Sequence, residues 1–540
     1  MKIKTTITFL SLVILLTACG NDSTQDSSRS QEANDYAEEE TAISPVRSVP
    51  QVQVNPESAQ LSQEIEANRE QYEIINDNPF KLVRNNPLST FSIDVDGASY
   101  SNVRRFINDG QLPPPDAVRI EELINYFTYN YPQPQSNQPF SLTTEIANSP
   151  WHPNHKLVQV GLQGKGISTE ELPSSNLVFL FDVSGSMDEP NKLPLLKSAF
   201  RLLVNELNET DRVSIVVYAG AAGVVLPPTP GDEKDKILEA LEELQAGGST
   251  AGGDGIQQAY KLAEDNLIKE GNNRVILATD GDFNVGIARD EDLVRLIEEK
   301  RESGVFLTVL GFGTGNFQDA KMEKLSNYGN GNYAYIDDVA EAKKVLVKEM
   351  GGTLVTIAKD VKIQVDFNPD LVQGYRLIGY ENRLLQDRDF DDDTKDAGEL
   401  GAGHSVTALY EVIPAGVNSN VELPELDTNQ ERENKVDTNS YNNNELMAVK
   451  LRYKLPKEDS SQLITETVVD KNTSLNAASE DLRFAAAVAS FGMVLRSSLY
   501  KGDMNLNQVL NLAKTSQGTD LDGYRGEFID LLGKVQGLDK

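Results

Sequence analysis

The sequence predicts an α/β protein built on a doubly wound, mostly parallel sheet, with antiparallel strands on either side of it and helices at the carboxyl end. Short apolar runs at 177–181, 213–218, 275–279 and 305–311 read as strands buried on both faces, as parallel strands are. Between them, segments at 193–207, 234–244, 255–267 and 291–300 carry apolar residues at three- and four-residue steps, the period of a helix that covers a sheet. Outside this region, 140–146, 157–162, 361–367, 405–413 and 447–453 alternate apolar and polar residues, the pattern of antiparallel strands with one face exposed.

The 540 residues carry a net charge of −33, which argues against nucleic acid as a partner and against electrostatic attachment to anionic lipid. A single cysteine, Cys19, excludes an internal disulfide and a cysteine-based zinc site. It follows Lys2, Lys4, an apolar run at 7–16 and the small residues Thr17 and Ala18, the parts of a secretory signal too short for a membrane span. The Leu16-Thr17-Ala18-Cys19 ending resembles the bacterial lipoprotein signal. That resemblance implies cleavage after residue 18, lipidation of Cys19 and an anchor in the cell envelope, at the outer membrane of a Gram-negative cell because Gly20 rather than aspartate follows. Residues 19–78 are Ser-, Asn-, Gln- and acid-rich and read as a disordered tether, with a transient helix at 60–75.

A strand at 90–99 and helices at 100–107 and from Glu121 open the first folded region, 79–171. Asp94-x-Asp96-Gly97 superficially resembles the phosphoryl-transfer loop of haloacid-dehalogenase-type phosphatases, but no matching lysine loop and acidic pair follow. Trp151-His152-Pro153-Asn154-His155 lies between two alternating strands. With no third ligand nearby in sequence, the H-x-x-H pair reads as a surface turn rather than a metal site.

The region 172–350 contains the stretch of greatest chemical content. The buried run 177–181 ends on Asp182-Val183-Ser184-Gly185-Ser186, three oxygen-bearing side chains at alternate positions of one loop at the carboxyl end of a strand. Hard oxygen donors grouped there suit a hard divalent cation. The D-x-S-x-S arrangement resembles the metal-ion-dependent adhesion site of von Willebrand factor type A (VWA) domains, whose fold is doubly wound and Rossmann-like. The resemblance implies two further ligands, Thr250 in the glycine-rich loop 247–253 and Asp280 at the end of the strand 275–279. It implies Mg2+ as the cation, with Mn2+ or Ca2+ able to compete, held by Asp182, Ser184, Ser186, Thr250 and Asp280. An acidic side chain of a protein partner would complete the coordination shell. The glycine-rich segment 310–316 is read as a tight turn at a sheet edge, since no Lys-Ser/Thr follows it as in a phosphate-binding loop.

In 351–540 the alternating strands are followed by an Asn-rich polar stretch at 417–444 and helices at 479–495, 506–513 and 522–535, the first amphipathic. The acidic loop 387–393 lacks the spacing of an EF-hand and reads as a solvated turn. The chain from about Phe80 to Leu532 resembles a group of bacterial lipoproteins with a VWA domain between dedicated flanking regions. Since β-strands lie on both sides of that domain, they are expected to join into one antiparallel sandwich into which it is inserted. Function follows as a Mg2+-dependent protein-binding module of the cell envelope. The alternatives are a Mg2+-dependent hydrolase and a structural lipoprotein whose metal only stabilises the fold.

Overall fold

The computed structural model describes residues 69–538 except 136–137, 169–170, 249–251, 282–289, 350–354 and 428–443. In chain order, β1 (Lys81–Leu82), β2 (Leu88–Ser92), β3 (Phe140–Asn148) and β4 (Lys156–Gly164) come first. The central segment holds β5 (Ser175–Asp182), β6 (Arg212–Tyr218), β7 (Ala222–Pro230), β8 (Asn272–Thr279), β9 (Phe306–Phe312) and β10 (Tyr333–Ile336). β11 (Thr356–Phe367), β12 (Val372–Ile378), β13 (Gly398–Gly401), β14 (Ser405–Pro414), β15 (Glu445–Lys454) and β16 (Gln462–Val469) follow.

The central strands form one sheet in the order β10-β9-β8-β5-β6-β7, parallel throughout except for the antiparallel edge strand β7. Residues of β5 alternate between the two faces, as strand geometry requires. Leu177, Phe179 and Phe181 pack with Phe200, Leu196 and Leu203 of the helix Leu193–Glu206. Val178 and Leu180 pack on the opposite face with Ile256, Leu293 and Leu325 from the helices Gly252–Asp265, Asp290–Arg301 and Asp319–Tyr328. Burial on both faces is why this strand reads as an uninterrupted apolar run. The helix Asp319–Tyr328 is not visible as a helical pattern in the sequence, because buried Asp319 and Glu323 replace apolar residues on its inner face.

The strands on either side of the central segment do join, as expected. One sheet runs β1-β12-β14-β4-β3, and the other runs β13-β11-β15-β16 with β2 paired to β11. β4 from before the segment pairs with β14 from after it along its length, from Gln163↔Ser405 to Lys156↔Val412. β2 likewise pairs with β11, Phe91 opposite Ile363. The two sheets enclose a common core that includes Phe91, Val160, Ile363, Tyr375, Tyr410 and Leu451. β12, β13 and β16 were not anticipated; of β16 only Val468 is buried, with Ile464 partly so, and Leu463 and Val469 are exposed.

The helix Glu480–Leu495 is not amphipathic. Leu482 and residues 484–493 are buried, packed with Tyr100, Leu123 and Phe127 of the amino-terminal region and with Phe528. Its small residues allow this approach: a side chain on Gly492 would come within 2.8 Å of Ile120. The folded part also begins earlier than residue 79. The Gln71 amide donates to the Phe317 carbonyl, and Glu70 pairs with Arg105 at 2.9 Å, so the described residues of 60–75 dock as extended chain rather than as a helix.

Three arginines, Arg104 and Arg119 buried and Arg383 half-buried and within 3.7 Å of Glu323, lock the central segment to its flanks. Arg119 Nη2 reaches Asp319 at 2.5 Å and Glu323 at 2.7 Å, while Nη1 reaches Glu122 at 3.3 Å. Arg104 holds Asp337 and Glu341, and Arg383 holds Asp94 and Asp96. The Asp94-x-Asp96 pair is therefore spoken for by an arginine. Beside this seam, Glu121 lies buried at the Tyr380 turn, its Oε2 without a hydrogen-bond partner.

Burial, reinforced by negative Glu381 and Asp94, pushes the Glu121 carboxyl up to about 8. Between its ordinary value and about 8, the folded chain keeps a proton on Glu121 that the unfolded chain has released. Stability attributable to this group therefore falls as pH rises through that window. Glu121→Gln keeps the neutral shape at every pH. Its melting midpoint is expected to exceed the parent's above about pH 8 and to match it near pH 4, below the ordinary carboxyl value, where Glu121 is protonated folded and largely so unfolded. An identical difference at the two pH values would contradict the assignment.

Candidate metal centre

Asp182 and Asp280 terminate or directly follow two neighbouring parallel strands, β5 and β8, at the carboxyl end of the central sheet. Register places Asp182 opposite Tyr218 of β6 on one side and adjacent to Thr279 of β8 on the other. Both hydroxyls donate to Asp182 Oδ2, each at 3.1 Å. Asp182 Oδ1 accepts from the Ser184 amide at 2.9 Å, which turns the chain so that Ser184 Oγ and Ser186 Oγ lie 3.0 Å apart. Asp182 and Asp280 are fully buried and Ser184 nearly so, whereas Ser186 is exposed at the mouth of the loop.

The loop that follows the helix Lys234–Glu242 is clamped to this first loop by its backbone. The Gly247 amide donates to the Val183 carbonyl at 2.8 Å, and the Gly185 amide donates to the Gly248 carbonyl at 3.1 Å. Thr250 lies outside the described residues, as do Cys19 and the whole signal and tether up to residue 68. Of the five expected ligands, Asp182, Ser184, Ser186 and Asp280 are thus brought to one end of one sheet.

Four further residues shape the site. Lys192, 3% exposed, donates from Nζ to Asp280 Oδ2 and to Asn316 Oδ1, both at 3.1 Å, and Asn316 Nδ2 donates to the same Asp280 oxygen at 2.9 Å. Gly313 makes the room for this: at φ +76°, a side chain there would fall 2.4 Å from the Lys192 stem. Asn316 belongs to the glycine-rich segment 310–316, which is a turn but not at a sheet edge. It follows β9, which lies between β10 and β8, and so borders the site. A side chain on Gly281, at φ +93°, would fall 2.5 Å from the Gln318 amide nitrogen, so glycine there lets the chain leave the site immediately after Asp280.

The donor set fits a cation. Asp280 has the Lys192 ammonium as counter-charge, but the partners seen at Asp182 are all neutral donors. Burial pushes the Asp182 carboxyl up to about 6, against the hydrogen bonds from Ser184 and with negative Asp280 adding to the rise. Burying an ionised carboxylate without a counter-charge is expensive. A divalent ion held by these carboxylate and hydroxyl oxygens would remove that cost, and oxygen donors of this kind suit Mg2+, Mn2+ or Ca2+.

Lys192, Asn316, Tyr218 and Thr279 were not anticipated as part of the site. Only Thr279 carried a signal, as the residue preceding Asp280. A second surprise lies elsewhere: the His152–His155 turn exposes Pro153 and Asn154 as a surface turn does, but His155 is buried and both rings contact buried Glu411 of β14.

A family profile described as "von Willebrand factor type A domain" matches residues 176–348, and one described as "von Willebrand factor" matches 66–159. A profile for the C-terminal part of "Uncharacterized protein YfbK" matches 352–538. The chain is 44% identical over 474 residues to the uncharacterized protein YfbK of Escherichia coli (strain K12), covering 86% of this chain and 81% of that protein. Inter-alpha-trypsin inhibitor heavy chain H3 of Bos taurus is 27% identical over 195 residues, 34% of this chain and 21% of its own length. Among solved structures, a von Willebrand factor type A protein from Catenulispora acidiphila aligns over 75% of this chain and 91% of its own, at 16% identity and a TM-score of 0.40. With a close relative spanning most of both chains and a type A profile covering the sheet that bears Asp182 and Asp280, the chain belongs to the YfbK family of VWA-domain proteins.

Proposed function

We propose that this protein is a lipid-anchored cell-envelope module that binds a protein partner through Mg2+, without catalysing a reaction. VWA domains commonly mediate protein–protein interaction. The observation that carries the reading is the convergence of Asp182, Ser184, Ser186 and Asp280 at one sheet end, with Ser186 opening to solvent. Mg2+ would be held by these residues together with Thr250. An oxygen-rich site of low protein charge, open on one side, leaves a coordination position for a carboxylate from the partner. Cation and partner then bind interdependently, each completing the other's shell.

The histidines favour binding over hydrolysis. All three, His152, His155 and His404, lie in connections of the antiparallel sheets, and none lies on the loops that carry Asp182 and Asp280. A metal hydrolase needs a base positioned beside its metal-bound water. Anchoring rests on the signal-like residues 1–18 and Cys19. It would place the domain in the envelope, at the outer membrane if the cell is Gram-negative.

Calorimetric titration of Mg2+ into the full chain is expected to show saturable binding at one site. Asp182→Ala should weaken it by more than about 100-fold, beyond the 10–100-fold typical of losing an outer-shell partner. Unchanged binding in that variant would remove the site from these loops. Lys192→Met is expected to act in two directions. It takes the counter-charge from buried Asp280 and should cost about 3 kcal/mol without metal. It also removes a cation from beside the ion, so Mg2+ should bind more tightly and restore part of the lost stability; loss of both stability and affinity would contradict this role. Incorporation of labelled fatty acid into the chain expressed in a bacterium, and its loss in Cys19→Ser, tests the anchor. Equal labelling of both chains, or of neither, would rule it out.

A further inference from the structure

We propose that His152, His155 and Glu411 form a second metal site, of imidazole and carboxylate donors, for a divalent cation of the zinc class. The site is independent of the Mg2+ reading, since it lies on the antiparallel sheet β1-β12-β14-β4-β3 and shares no residue with the Asp182 loop.

The β3–β4 connection is a tightly bonded turn. The Ser149 amide donates to the His155 carbonyl at 3.0 Å, the His155 amide donates to the His152 carbonyl at 2.8 Å, and Asn148 Nδ2 donates to the Pro153 carbonyl at 3.0 Å. This fold of the chain brings the two imidazoles to one side, with ring centroids 4.8 Å apart. Glu411 reaches the same point from the neighbouring strand β14. Nδ1 of each histidine lies 2.6 Å from Glu411 Oε1.

The surroundings orient each donor. Glu411 Oε2 is held by the Trp151 indole N–H at 2.8 Å and faces Arg376 at 3.5 Å, which leaves Oε1 alone toward the histidines. His155 Nε2 is 2.8 Å from Ser419 Oγ, the kind of outer partner that fixes the tautomer of a metal-ligating imidazole. His155 and Glu411 are buried, while the His152 side chain is 21% exposed, giving an ion a path in and a solvent molecule a fourth position. Two imidazoles and one carboxylate with an open position are a donor set that zinc-class ions take in proteins. An ion about 2.1 Å from each donor would hold the donor atoms roughly 3.4 Å apart, so the cluster needs to open by less than about 1 Å. Arg376 opposes the ion's charge and makes the site weaker than the same three ligands without it. Once filled, the site ties the β3–β4 turn to β14 and to the chain at Ser419.

The protein carries its own reporter, since Trp151 is the only tryptophan and bonds directly to Glu411. Co2+ titrated into the full chain, with Mg2+ present in excess to occupy oxygen sites, is expected to quench Trp151 fluorescence saturably. It should also give the visible absorption of four-coordinate Co2+, and Zn2+ should displace it. His152→Ala, at the exposed edge of the cluster, and Glu411→Gln should each weaken the response at least tenfold, whereas Asp182→Ala should leave it unchanged. His152→Gln, closer in shape, serves as a second variant, with circular dichroism confirming the fold. Quenching that is not saturable, that survives His152→Ala and His152→Gln, or that disappears in Asp182→Ala would overturn the assignment. So would Trp151 emission that responds to pH but not to Co2+, which would mark a cluster occupied by protons alone.

Discussion

Pairing between β4 and β14 is the constraint on which the rest of the molecule depends. It joins chain that precedes the central sheet to chain that follows it, from Gln163↔Ser405 to Lys156↔Val412. The strands that border the central segment, β4 and β11, are thereby parts of one sandwich, and the intervening α/β unit must leave and re-enter at neighbouring points. β2 reinforces this by pairing with β11. Neither flank could bury its apolar faces without the other, because the shared core draws Phe91 and Val160 from one side and Ile363, Tyr410 and Leu451 from the other.

Apolar packing alone would not fix how the inserted sheet is oriented on its flanks, and the buried arginines supply that. Arg119 binds Asp319 and Glu323 of the central segment together with Glu122 of the flank, and Arg104 binds Asp337 and Glu341. A buried ion pair adds little net stability, since desolvation of both charges offsets most of their attraction. It does penalise alternative arrangements heavily, because any shift strands a charge in a dry interior. The seam is also crowded with carboxylates, which is why Glu121, left without a cation of its own, is held neutral.

How much of this is legible in the sequence follows from how local each feature is. β5 and β8 are plain because burial on both faces leaves an unbroken apolar run, and Asp182, Ser184 and Ser186 stand out because they share one loop. β10 is legible to the residue, at Tyr333–Ile336. The helix Asp319–Tyr328 is hidden because its inward residues Asp319 and Glu323 face arginines, which inverts the usual periodicity. Lys192 and Asn316 cannot be assigned from sequence, since each meets Asp280 only after the sheet has brought together segments 88 and 36 residues apart. The histidine turn fails for the same reason on a larger scale: its third partner, Glu411, is 256 residues beyond His155.

The two clusters of donors are separated by chemistry as well as by position. At the end of the central sheet every donor assigned to the cation is an oxygen, and the competing charge is the Lys192 ammonium, which a hard divalent ion outbids by its higher charge. On the antiparallel sheet two imidazole nitrogens sit with one carboxylate, and the competing charge is Arg376, which cannot lose its proton. Both cations are buried, Lys192 reaching Asp280 on a flexible stem and Arg376 lying against Tyr500 and Phe80. In the function proposed above, cation and partner would arrive at the oxygen site and leave it together. The proposed imidazole site, walled by a fixed guanidinium, opens at His152, through which a zinc-class ion would enter and leave.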